Sequence, residues 1–110
     1  MAAIANLFVD QGTTFNTSVF VTNDDSSAFD LTGYICTSQL RKSYSSSTAT
    51  DFTTEIADPP TLGQINLTLS ATQTGALEEG RYVYDVEVSK DGIVTRVIEG
   101  LITLSPQVTK

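Results

Sequence analysis

The chain has 110 residues and a formal net charge of −7, from 13 acidic and 6 basic residues. A hydrophobic share of 40% suits one domain with a single buried core and argues against disorder. The acidic balance repels phosphate backbones and so disfavours nucleic acid as a partner, and the lack of histidine removes the commonest general base, zinc ligand and triad member.

Residues 1–12 read as a candidate N-terminal arm or first strand, with Ile4, Leu7 and Val9 in a short apolar run that Gln11-Gly12 breaks. The opening residues carry no basic region and no long apolar run, so no signal peptide is expected. No stretch approaches the roughly 18 apolar residues of a membrane helix. Residues 14–22 alternate, with Phe15, Thr17, Val19 and Val21 on one face and Asn16, Ser18 and Phe20 on the other. Period-two alternation marks a half-buried strand. Asn23-Asp24-Asp25-Ser26-Ser27 is a turn cluster.

The next strand covers residues 34–44. Tyr34, Cys36, Ser38 and Leu40 are expected inward, because the opposite face carries Arg41. Residues 43–50, rich in Ser and Thr, form a loop. Phe52, Thr54 and Ile56 alternate until Asp58-Pro59-Pro60, where proline cannot donate a ladder hydrogen bond. Gly63 opens a strand with Ile65, Leu67 and Leu69 inward. Residues 70–77 are too few for a packed helix and read as one helical turn crossing between sheets.

Residues 81–89 give the clearest strand. Tyr82, Tyr84, Val86 and Val88 share one face, and Arg81, Val83, Asp85 and Glu87 the other. Lys90-Asp91-Gly92 is an Asp-Gly hairpin turn, and residues 93–104 return antiparallel. The faces of that last strand conflict, and a bulge near Gly100 would reconcile them.

About seven strands, frequent turn signals and no long helix predict an all-β, immunoglobulin-like antiparallel β-sandwich in one domain, residues 1–110. A small Greek-key barrel is the alternative. The run Leu77-x-x-Gly80-x-Tyr82 fits a tyrosine corner. There Leu77 would plug the core, Gly80 would allow the tight turn, and the Tyr82 hydroxyl would bond back to upstream backbone.

Candidates for chemistry are few. Asp24, Asp25 and Asp30 could offer oxygen ligands to calcium, but their spacing matches no EF-hand and a solvated turn is favoured. Glu78 and Glu79 sit side by side on a turn and point apart, unlike a catalytic carboxylate pair. Cys36 is the sole cysteine, so it makes no intrachain disulfide and reads as an inert core thiol. Asn16-Thr17-Ser18 and Asn66-Leu67-Thr68 match the glycosylation sequon, a chance match in a chain without a secretory signal. No phosphate loop, paired-cysteine motif or nucleophile elbow is present. The reading is a non-enzyme without cofactor, metal or small-molecule substrate.

Two features suit binding. Tyr44 and Ser46 sit in the Ser-rich loop, a composition fit for recognition. The arm bearing Ile4, Leu7 and Val9 could pair with a neighbour's sheet edge.

Five motifs in order carry a resemblance: Asp10-Gln11-Gly12-Thr13-x-Phe15, Leu31-Thr32-Gly33-Tyr34, Gln39-Leu40-Arg41-Lys42-Ser43, Gly80-Arg81-Tyr82-x-Tyr84-Asp85 and Val94-Thr95-Arg96-Val97-x-Glu99-Gly100. Over about residues 6–108 the sequence resembles small virion structural proteins of tailed bacteriophages, especially contractile-tailed phages of marine cyanobacteria. Its later part is similar to immunoglobulin-like domains of phage baseplate and fibre-attachment proteins. The resemblance implies a multi-copy particle component without catalysis, assembled in the host cytoplasm and located in the virion. Its implied partners are other tail, baseplate or capsid proteins. An adhesin-like module binding a host glycan or protein, through Tyr44 and Phe20, is the second reading. A free cytosolic protein that inhibits a host factor is the third.

Overall fold

Alternation decides which side chains are inside, and pairing decides which sheet they belong to. The computed structural model describes residues 3–109. Its larger sheet runs in space β1 (Ala3–Ile4), β9 (Ile93–Ser105), β8 (Gly80–Lys90), β4 (Ile35–Arg41), β5 (Thr50–Asp51), with β2 (Leu7–Asp10) also on β9. The smaller sheet runs β3 (Phe15–Phe20), β7 (Gln64–Leu69), β6 (Thr53–Ile56). The two sheets close on one core, which includes Val19, Leu31, Leu40, Phe52, Ile65, Leu67, Leu69, Tyr84, Val86 and Ile102. The chain is an all-β sandwich. Among the described residues no helix is long and apolar enough to cross a membrane.

The inward faces expected for β4 and β7 are the buried ones, and of the alternating faces of β3 and β8 the buried ones carry Val19 and Tyr82, Tyr84, Val86 and Val88. The crossing between sheets is a short helix, α1 (Ala71–Gly75). Ser70 and Gln73 form a capping box at its start, satisfying two backbone donors reciprocally. Thr74 is fully buried, and its hydroxyl donates to the Thr13 carbonyl at 2.8 Å. At the hairpin joining β8 and β9, Asp91 and Gly92 both take positive φ, as a two-residue turn with matching twist requires.

Three features differ from expectation. First, the larger sheet is mixed, because β1 and β2 pair parallel with β9. Second, there are nine described strands in place of about seven. The N-terminal run splits in two, and Thr50–Asp51 adds a short edge strand on β4. The chain then changes sheets at Phe52, whose amide still bonds to Ser38 while Thr53 already pairs with Thr68. Third, the bulge in β9 lies at Val97. Val86 faces Ile98 and Glu87 faces Arg96, leaving Val97 as the extra residue. Val97 and Ile98 are consequently both buried, which resolves the conflicting faces of that strand.

Gly100 has a different role. It lies opposite Tyr84, and a Cβ there would come within 2.0 Å of the Ala5 carbonyl oxygen. The chain passes over Gly100 between β1 and β2, and the Tyr84 hydroxyl donates to that same carbonyl at 2.6 Å. Burial pushes the Tyr84 phenol up to about 12, so it remains a donor at any physiological pH.

Candidate functional site

The corner before β8 comes together from residues 77–82. Gly80 has φ of 133°, a region that side chains avoid. This turn aims Tyr82 back over the preceding segment, and its hydroxyl donates to the Glu78 carbonyl at 2.7 Å. Leu77 packs against the core, and its carbonyl accepts from Gln11 Nε2 at 2.9 Å. Lys42 Nζ stands 4.7 Å from the Tyr82 ring centroid, a cation–π contact that sequence reading did not find. Burial raises the Tyr82 phenol, and the nearby Glu78 carboxylate adds to the shift. Tyr82→Phe should cost about 1 kcal/mol, the net worth of one hydrogen bond. Denaturant unfolding measures it, and an unchanged midpoint would mean the bond contributes nothing.

The arm divides by parity. Val9 is buried and Leu7 packs against the core, so both belong to the chain's own interior. That corrects their placement as partner contacts: parallel pairing with β9 turns them inward. Ile4 and Phe8 are exposed. Phe8 is the outward aromatic that sequence reading missed, because the apolar run hides its alternation. The arm is tied down at several points. Asn6 Oδ1 accepts from the Leu101 amide, and Gln11 Oε1 accepts from the Gln107 amide, both at 3.0 Å.

The Ser-rich loop is tied as well. Arg41 donates to the Ser46 carbonyl at 2.6 Å and to Gln39 Oε1 at 3.1 Å, leaving Ser46 half-buried. Tyr44 is exposed and borders a shallow depression of about 240 Å³ with Gln39, Arg41, Val83, Asp85 and Arg96 on the outer face of the larger sheet. Phe20 lies on the outer face of β3, in the other sheet. The sandwich separates these two aromatics, so they form no common patch, which corrects the pairing of Tyr44 with Phe20.

Two of the three acidic residues of the 24–32 region, Asp25 and Asp30, serve local turns. The Asp25 carboxylate accepts from the Ser27 hydroxyl and amide, and Asp30 accepts from the Thr32 hydroxyl and amide. In each case the side-chain bond first and the backbone bond second hold the carboxyl below its ordinary value. A carboxylate lowered on folding contributes stability above its unfolded pKa, lost as pH falls through the folded value. Both turns should therefore loosen only in acid, below about pH 4. NMR titration of the two carboxyl carbons should give midpoints below the usual value, and Ser27→Ala should raise that of Asp25. A midpoint at or above the ordinary value would contradict the geometry.

Among the described residues no cluster of acidic or cysteine side chains is placed to hold a metal ion. Burial pushes the Cys36 thiol up to about 11, far from the thiolate a nucleophile needs. Thr54 Oγ1 donates to the Cys36 carbonyl at 2.9 Å, bonding β6 to β4 across the sandwich.

No protein-family model matches the sequence, and no curated protein matches it. Among solved structures the fold is similar to part of InlP from Listeria monocytogenes, with a TM-score of 0.51 and 13% identity. That similarity covers 94% of this chain and 28% of the InlP chain. A family 123 glycoside hydrolase from Clostridium perfringens gives a TM-score of 0.45 and 11% identity, over 97% of this chain and 23% of that one. The InlP similarity shows a shared fold and transfers no role. The hydrolase similarity carries no argument.

Proposed function

We propose that the chain is a non-enzymatic structural module of a bacteriophage particle, an accessory sandwich on the tail, baseplate or capsid surface. One observation carries this reading: the residues that bear the resemblance to phage virion proteins are structural ties. Gln11 binds both the Leu77 carbonyl and the Gln107 amide. Tyr82 closes the corner, Tyr84 holds Ala5, and Gly100 makes room for it. Arg96 pairs with Asp85 at 3.1 Å across β8 and β9. Such a motif set specifies a well-fastened scaffold and leaves recognition to edges and outer faces, as a particle component requires.

Other virion proteins are the partners, in a multi-copy assembly, and the virion is the location. The adhesin reading loses the aromatic patch it relied on, since Tyr44 and Phe20 face opposite ways. Mass spectrometry of purified particles from a phage encoding this chain tests the reading. The chain should copurify in many copies per particle. Its presence in the infected-cell lysate and absence from particles would favour the free cytosolic alternative.

A further inference from the structure

The smaller sheet ends on β3, which pairs with β7 on one side only. Val21 continues this ladder by donating to Gly63. Hydrogen bonding alternates along an antiparallel pair, so the odd residues of β3 face β7. The amides and carbonyls of Asn16, Ser18 and Phe20 therefore point away from the sheet. Among the described residues nothing hydrogen-bonds to them. The side chains that could screen this edge are drawn the other way: Ser18 Oγ donates to Asn66 at 2.7 Å, and Asn16 accepts from Thr68 at 2.7 Å.

The edges also differ in charge. Among the described edge strands, β2, β5 and β6 each carry a carboxylate, Asp10, Asp51 and Glu55, and β1 spans two residues. In a chain of net charge −7, those acidic edges repel a second copy. β3 is six residues long, with no charge, proline or glycine, and its outward neighbours Gln64, Asn66 and Thr68 are neutral. Proteins usually blunt an edge of this kind.

We infer that β3 is a self-association edge, on which a second copy of the chain pairs antiparallel about a two-fold axis through Ser18. That register keeps inward and outward faces matched. Ser18 meets Ser18 of the second copy, Thr17 meets Val19, and Asn16 meets Phe20. Two three-stranded sheets become one of six, and the exposed Phe20 gains a neighbour across the seam. A two-fold contact must be self-complementary, and an uncharged strand meets its own copy without repulsion. Strand pairing buries a modest area, so the dimer is weak and concentration-dependent. The inference stands apart from the particle reading.

Sedimentation of the full chain over a wide concentration range tests it. The mass should rise from monomer toward dimer. Ser18→Lys sets like charges directly opposite each other and should remain monomeric throughout, with unchanged circular dichroism and melting. Ser18→Cys should form a disulfide-linked dimer on oxidation with diamide, because a hydrogen-bonded pair places the Cα atoms about 5.5 Å apart, within disulfide reach. Thr53→Cys, on the opposite edge strand, should not, and both variants retain Cys36. A wild-type monomer at every concentration, a dimer that survives Ser18→Lys, or equal linkage at position 53 would overturn the inference.

Discussion

Gly100→Ala should destabilise the fold by about 2–4 kcal/mol, combining overpacking with a lost buried hydrogen bond. The added methyl would sit 2.0 Å from the Ala5 carbonyl oxygen and 3.1 Å from the Tyr84 ring. Neither neighbour moves freely. Ala5 is held by its N–H, which donates to the Glu99 carbonyl at 2.9 Å, and by the Tyr84 hydroxyl, which donates to its carbonyl. Displacing Ala5 breaks both ties and leaves a buried phenol without an acceptor. The melting temperature should fall by at least about 10 °C. Tyr84→Phe alone should cost about 1 kcal/mol, and almost nothing once Gly100→Ala is present, because the bond is already lost. This non-additivity, read from a double-mutant cycle in denaturant, distinguishes local clearance from a general fault in β9. Additive effects would mean that Gly100 and Tyr84 act separately.

Leu67→Ala should cost about 3–4 kcal/mol, a large part of the roughly 5–15 kcal/mol that holds a domain together. Leu67 is fully buried at the centre of β7, itself the central strand of the smaller sheet. Its partners on the two sides are Thr17 and Thr54. Both are small, and Thr54 is fixed by its hydrogen bond to Cys36. Neither can fill the space that a leucine leaves, so the cavity persists. Leu101→Ala, on the outer face of β9, should cost less than about 0.5 kcal/mol. Similar losses at the two positions in chemical denaturation would contradict the placement of the core.

Both predictions involve features of unequal legibility. The face of β7 was plain from Ile65, Leu67 and Leu69 alternating with Asn66 and Thr68, because one buried face imposes period two. β8 was equally plain, and the spacing of Leu77, Gly80 and Tyr82 placed the corner, because those interactions are local. Gly100 was noticed for the wrong reason. A glycine inside a strand suggests a bulge, but here it makes room for a segment ninety-five residues away in sequence, Ala5, and no local pattern records such a contact. The conflicting faces do point to a bulge, but it lies at Val97, three residues before Gly100, because the pattern shows that a residue is extra and not which one. The candidate contact residues depended on sheet membership. Tyr44 and Phe20 both read as exposed aromatics, but only pairing shows them on opposite faces. Leu7 and Val9 turned inward once β9 was identified as the partner of the arm, and Phe8 took the exposed position between them.

The central claim is that this sandwich is a fastened scaffold built into a particle. The most direct measurement is a cryo-electron microscopy reconstruction of the intact virion of a phage encoding the chain. The account predicts repeated density for a two-sheet domain on the tail, baseplate or capsid surface, contacting its neighbours through sheet edges or outer faces. A particle fully accounted for by other proteins, with no such domain, would contradict it.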